Sequence, residues 1–97
     1  MEQAIRQNNT NLRMKTFDIF IKTLYGKTIT IRTDQSSTID EIKYMIQEKE
    51  GTTFDEPKLI YAGRLLQDNL TLEQCNIKKE STLHMITKLT GDWYNTY

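Results

Sequence analysis

The stretch Thr38–Gly51, which reads TIDEIKYMIQEKEG, decides the fold because it predicts one clear amphipathic helix. Thr38 and Glu41 form a capping-box pattern, in which the hydroxyl accepts from the amide three residues on and the carboxylate reaches back. The apolar residues that recur at helical spacing are Ile39, Ile42 and Ile46. Gly51 suits the left-handed conformation that ends a helix. About three turns of amphipathic helix need an apolar surface to pack on.

The chain on either side of this helix reads as short segments in which apolar and polar residues alternate. The predicted strands are Phe17–Thr23, Lys27–Thr33, Lys58–Tyr61, Arg64–Leu66 and Ser81–Leu89. Leu24–Gly26 predicts a hairpin turn between the first two strands. Asp68–Asn76 is a connecting segment that anchors to the core through leucines. The pattern predicts an α+β fold with one helix packed across a mixed five-stranded sheet.

The composition bounds the chain to one small domain of 97 residues. Thirteen basic and thirteen acidic residues cancel, so we expect neither nucleic acid nor an anionic membrane surface as a partner. The single Cys75 excludes an intrachain disulfide and fits a reducing compartment. These features indicate a soluble intracellular domain. We also expect the protein to be a monomer without a cofactor, in the cytoplasm and with the nucleus as a second location.

Four stretches carry a resemblance to a known family. They are Lys22–Thr30, Ile46–Gly51, Leu59–Gly63 and Asn76–His84. Together they resemble the ubiquitin family, in order and at that family's spacing, within an almost gapless match from residue 17 to residue 91. The resemblance implies a β-grasp domain at residues 16–91. The polar residues 1–15 are then a flexible leader, and residues 92–97 are a tail or the start of a following segment.

A candidate binding patch lies on the sheet face that points away from the helix. Alternation turns Ile60, His84 and Ile86 outward, and Leu24 lies on an exposed hairpin tip. Such residues form either an interaction patch or scattered surface hydrophobes of no consequence. The resemblance implies the first, because these four positions match the surface that ubiquitin receptors bind. The rim of this surface is predicted to be Lys58, Gly63 and Lys88.

The residue pattern offers no catalytic or metal site. His84 has no second histidine and no paired cysteine with which to bind a metal, and Cys75 has only His84 as a candidate base. Cys75 stands where the resemblance implies a tyrosine that ties a loop to the backbone, so we expect a structural role for it. We predict that the protein is not an enzyme.

Five lysines stand at positions where the ubiquitin family accepts chain linkage, although each would also serve as ordinary solvated charge. These candidate linkage lysines are Lys22, Lys27, Lys43, Lys49 and Lys79. The family's diglycine terminus is only half present, because Gly91 is followed by Asp92. As written, this terminus cannot be activated as ubiquitin's is.

Two functional hypotheses follow. In the preferred one, the domain is a non-conjugated module that docks on ubiquitin-binding domains through the patch. In the alternative, it is a modifier precursor: a ubiquitin protease removes Asp92–Tyr97, and the conjugating machinery attaches Gly91 to target lysines. The aromatic residues Trp93, Tyr94 and Tyr97 either fold back on the sheet, begin a neighbouring domain or are disordered; the sequence leaves these alternatives open.

Overall fold

The computed structural model describes residues 15–87, which form one helix and five strands. In chain order they are β1 (Phe17–Lys22), β2 (Thr28–Thr33), α1 (Ile39–Glu50), β3 (Lys58–Tyr61), β4 (Arg64–Leu65) and β5 (Thr82–Ile86). Every predicted element is present, and within residues 15–87 each strand is at most two residues shorter than its alternating segment. The expectations for most of the leader, for Lys88, for Gly91 and for the tail lie outside the described residues. No helix within residues 15–87 is long and apolar enough to cross a membrane.

The two ends of α1 follow from the residues that flank it. The Glu41 amide donates to the Thr38 hydroxyl at 3.2 Å, and the Thr38 amide donates to the Glu41 carboxylate at 2.9 Å. Gly51 takes the left-handed conformation with φ 69°, and its amide donates to the Gln47 carbonyl at 2.9 Å. The capping box and the glycine cap are therefore both confirmed, and they fix the length of the helix.

The five strands form one mixed sheet in the order β2-β1-β5-β3-β4. Only the central pair, β1 with β5, is parallel; the other three pairs are antiparallel. The hairpin between β1 and β2 turns at Gly26, whose φ of 84° favours a residue without a side chain. The sheet order brings the first and last strands of the chain together at its centre.

The helix packs on one face of this sheet and closes a single core. Its buried residues, Ile39, Ile42 and Ile46, lie against isoleucines, leucines and one methionine of four strands. The strand residues of the core are Ile19, Ile21, Ile29, Ile31, Leu59, Leu83 and Met85. Leu72 and Ile77 anchor the segment that connects β4 with β5. This arrangement confirms the α+β, β-grasp prediction and leaves the opposite face of the sheet uncovered by the helix.

Candidate functional site

Strand pairing places one row of predicted site residues across the sheet. Ile60 on β3 lies opposite His84 on β5, and His84 lies opposite Lys22 on β1. On the far side, Ile60 lies opposite Leu65 on β4. Residues directly opposite each other in paired strands share a face. The row Lys22–His84–Ile60–Leu65 therefore crosses four strands on the face away from α1, which we call the outer face.

A second pair extends this row. Ile86 on β5 lies opposite Lys58 on β3, and each is two residues from a member of the first row, so both also point to the outer face. Four of the predicted binding residues, Lys58, Ile60, His84 and Ile86, are thus brought onto one surface. Lys88, predicted at its rim, lies outside the described residues.

Leu24 lies at the same end of the sheet as Ile86. Because β1 and β5 run parallel, the chain leaves β1 in the direction in which β5 passes from His84 to Ile86. Leu24 then falls in the hairpin turn, where 59% of its surface is exposed. The turn is held by the Thr23 hydroxyl, which accepts from the Tyr25 amide at 3.3 Å and from the Lys27 amide at 3.2 Å. A fixed turn presents an exposed leucine beside the outer face.

The outer-face isoleucines are less exposed than alternation alone suggests. His84 is exposed, but Ile60 and Ile86 are half-buried. A side chain on a central strand is flanked by its cross-strand neighbours, which cover part of its surface. Ile60, with His84 on one side and Leu65 on the other, is such a case. Ile60 therefore does not stand alone on the surface but lies between His84 and Leu65, and we call these three residues the apolar row.

Leu65 belongs to this surface, although the sequence pattern does not single it out. It is 59% exposed and lies opposite Ile60. β4 has only two residues, so it has no alternation from which a face is read. Only the pairing with β3 shows that Leu65 extends the apolar row to the sheet edge, and Gly63 lies in the turn between these strands.

Two lysines border the apolar row. Lys22 and Lys58 lie on the outer face beside His84 and Ile86. The strand residues of that face include one carboxylate, Asp18, which is paired with Arg32 at 3.3 Å. No ion pair within residues 15–87 joins Lys22 or Lys58 to a carboxylate, so this part of the outer face combines apolar side chains with two cations.

The candidate linkage lysines differ in their contacts. Lys27 pairs with the Glu50 carboxylate at 2.7 Å, and Lys43 pairs with Asp68 at 2.5 Å. Lys43 is 15% exposed, and a nearly buried, paired ammonium is a poor candidate nucleophile. The other four are exposed. Lys49 donates to a backbone carbonyl, and no contact within residues 15–87 pairs Lys22 or Lys79 with a carboxylate.

Cys75 is half-buried and borders a cleft of about 390 Å³ between the β3–β4 turn and the connecting segment. Burial raises the pKa of its thiol, and the charge of Arg64 offsets this in part. A raised pKa disfavours the thiolate that acts as nucleophile or metal ligand. Within residues 15–87, no group of three or more His, Cys, Asp or Glu residues is arranged to hold a metal ion. The geometry of Cys75 suits a structural role.

Comparison with known proteins agrees with the fold and with the resemblance. Residues 19–90 match the Ubiquitin family. The chain is 38% identical over 74 residues to the NEDD8-like protein RUB3 of Arabidopsis thaliana, a match that covers 76% of this chain and 95% of that protein. It is 36% identical over 73 residues to Ubiquitin-like protein 1 of Schizosaccharomyces pombe, covering 75% and 94%.

A third relative is much longer than this chain. The E3 ubiquitin-protein ligase parkin of Drosophila melanogaster is 37% identical over 71 residues, which are 73% of this chain and 15% of parkin. Domains of this sequence type therefore occur as nearly whole small proteins and as parts of large ones. The family match covers the helix, the strands β2 to β5, and β1 except for its first two residues, Phe17 and Asp18. The chain belongs to the ubiquitin family.

Proposed function

We propose that this chain is a protein-interaction module of the ubiquitin pathway that docks on ubiquitin-binding domains, in the cytoplasm or nucleus, and has no catalytic activity. The observation that carries the proposal is the row in which His84, Ile60 and Leu65 lie opposite one another on adjoining strands. With Leu24 and Ile86 at one end of the sheet, this row presents apolar surface on a rigid support. We call these five residues the apolar patch.

The chemistry of the patch defines the partner that would fit it. Burying the apolar centre of an interface supplies most of the binding energy, while charges at the margin steer association and select partners. Lys22 and Lys58 lie at this margin. A receptor that complements the surface presents an apolar side chain to Ile60 and acidic residues to the lysines.

Chemical-shift mapping tests the proposal directly. When a ubiquitin-binding domain is titrated into the isotopically labelled 97-residue chain, we expect the amide signals of the apolar patch to shift most. Tyr44 is the internal control, because it is 62% exposed but lies on the helix, on the other side of the sheet. Shifts centred on Tyr44, or no shifts with any of several ubiquitin-binding domains, would refute docking through the patch.

The modifier alternative is favoured by one observation: the matches to the Arabidopsis and fission-yeast relatives cover 95% and 94% of those proteins. A free modifier is a small protein that consists of little more than one such domain. Against it, Asp92 stands in place of the second terminal glycine.

Intact mass separates the two functions. We incubate the full chain in a eukaryotic lysate with ATP and a ubiquitin hydrolase. The docking proposal predicts an unchanged mass without adducts. A product that ends at Gly91 and is attached to other proteins would establish the modifier instead.

A further inference from the structure

A second concave site lies at the start of β1, away from the apolar patch. Its volume is about 540 Å³. The residues that line it are Lys15, Thr16, Phe17, Gln35, Lys78 and Lys79. Three of the six are lysines and none is acidic. The cleft is therefore a concentrated positive site on a chain whose formal net charge is zero.

No carboxylate neutralises these lysines within the described residues. The ion pairs of residues 15–87 join Lys27 to Glu50, Lys43 to Asp68 and Arg32 to Asp18, so Asp18, the acidic residue next to Phe17, is already paired. The Lys78 ammonium donates to the Asn76 side-chain oxygen at 3.1 Å. That amide is neutral, so the hydrogen bond orients Lys78 without compensating its charge.

The cleft also contains uncharged hydrogen-bond donors. The Thr16 hydroxyl oxygen accepts from the Arg32 guanidinium at 3.2 Å, which leaves the hydroxyl proton to be donated to a ligand. Gln35 adds a side-chain amide group. Ammonium, hydroxyl and amide donors around one concavity match a ligand with several acceptor oxygens.

Backbone hydrogen bonds hold the walls of the cleft in place. The Glu80 amide donates to the Asp18 carbonyl at 2.7 Å, which ties the segment of Lys78 and Lys79 to β1. The Lys78 amide donates to the Ser81 hydroxyl at 3.0 Å. On the other wall, the Glu73 amide donates to the Gln35 carbonyl at 3.1 Å. These bonds hold the segment of Lys78 and Lys79 and that of Gln35 in place within the fold.

We propose that this cleft binds the phosphate group of a phosphorylated peptide segment. A phosphorylated side chain carries about −1.5 to −2 charges and three strong acceptor oxygens, which suit three ammonium groups with neighbouring hydroxyl and amide donors. The half-buried ring of Phe17 offers an apolar wall for the residue beside the phosphate. A protein that binds nucleic acid needs a basic stripe on its surface that follows the phosphate backbone. Here the positive charge is confined to one cleft on a chain of zero net charge.

Binding of a fluorescent phosphoserine peptide to the full chain tests the proposal, with the same peptide unphosphorylated for comparison. We expect the phosphorylated form to bind at least about tenfold more tightly, because one phosphate forms several charge-assisted hydrogen bonds. The double variant Lys78→Gln/Lys79→Gln should lose this preference. The matched control Lys22→Gln/Lys58→Gln also removes two positive charges, but from the outer face. It should keep the preference for the phosphorylated peptide.

Each other outcome rejects the proposal. If the two double variants lost the preference for the phosphorylated peptide equally, only the overall charge of the chain would matter. Inorganic phosphate that binds as tightly as the peptide would reduce the cleft to a simple anion site, and a single-stranded oligonucleotide that binds more tightly would make the partner a nucleic acid. The patch-dependent docking of the whole chain does not involve this cleft, so either proposal can fail alone.

Discussion

Truncating Leu83 to alanine is expected to lower the free energy of unfolding by about 2–5 kcal/mol. Leu83 is fully buried on β5, where it lies opposite Ile21 of β1. β5 pairs with both β1 and β3, and Leu83 belongs to the core that the sheet forms with α1. The lost methyl groups therefore leave a cavity in the core that neighbouring side chains fill only in part. A small domain has about 5–15 kcal/mol of stability in all, and this one substitution removes a large part of it.

Ile86→Ala is the matched control, because Ile86 lies on the same strand but on the outer face and is half-buried. Its removal should cost clearly less stability than that of Leu83. Urea unfolding followed by circular dichroism measures both variants, with an unchanged slope of free energy against denaturant required for the comparison. Equal losses in the two variants would contradict the assignment of the two sheet faces.

The helix and the main hairpin are predictable from the sequence because their determinants are local. The capping pair Thr38 and Glu41 and the terminal Gly51 all lie within one stretch of the chain, and all form the predicted contacts. In β1, strict alternation identifies Ile19 and Ile21 as core residues, and both are fully buried. A hydrophobic period of two residues identifies a strand and its buried face, and a period of 3.6 residues does the same for a helix, wherever the element is long enough to show the period.

Contacts between distant residues are not predictable in this way. Lys43 sits on the helix, and nothing in its neighbourhood indicates that it binds Asp68, 25 residues away. Leu65 lies in a strand too short to show alternation, so its face depends on pairing with Ile60. The lysine-lined cleft at the start of β1 likewise joins residues near positions 15, 35 and 78 that only the folded chain brings together. Three-dimensional placement decides these features.

Replacing Ile60 by alanine is expected to weaken binding to a ubiquitin-binding domain by about 1–3 kcal/mol, which is roughly 5- to 150-fold. Ile60 is the middle of the apolar row, with His84 and Leu65 opposite it on its two sides. A hot-spot residue at the centre of an interface is fully desolvated in the complex, and its neighbours exclude water. Titration calorimetry of the full chain with the domain identified by chemical-shift mapping measures the loss.

Ile60 is half-buried, so its truncation also costs some stability. Control variants are needed to separate the loss of a contact with the partner from the loss of stability of the fold. Leu65→Gln removes a more exposed side chain of the same row, at 59% exposure, and should weaken binding with little effect on unfolding. Tyr44→Ala removes a comparable exposed apolar surface from α1 and should leave the affinity unchanged. Undiminished affinity in Ile60→Ala would reject the apolar patch as the docking surface. Retained affinity in Leu65→Gln alone would instead confine that surface to β3, β5 and the turn that carries Leu24.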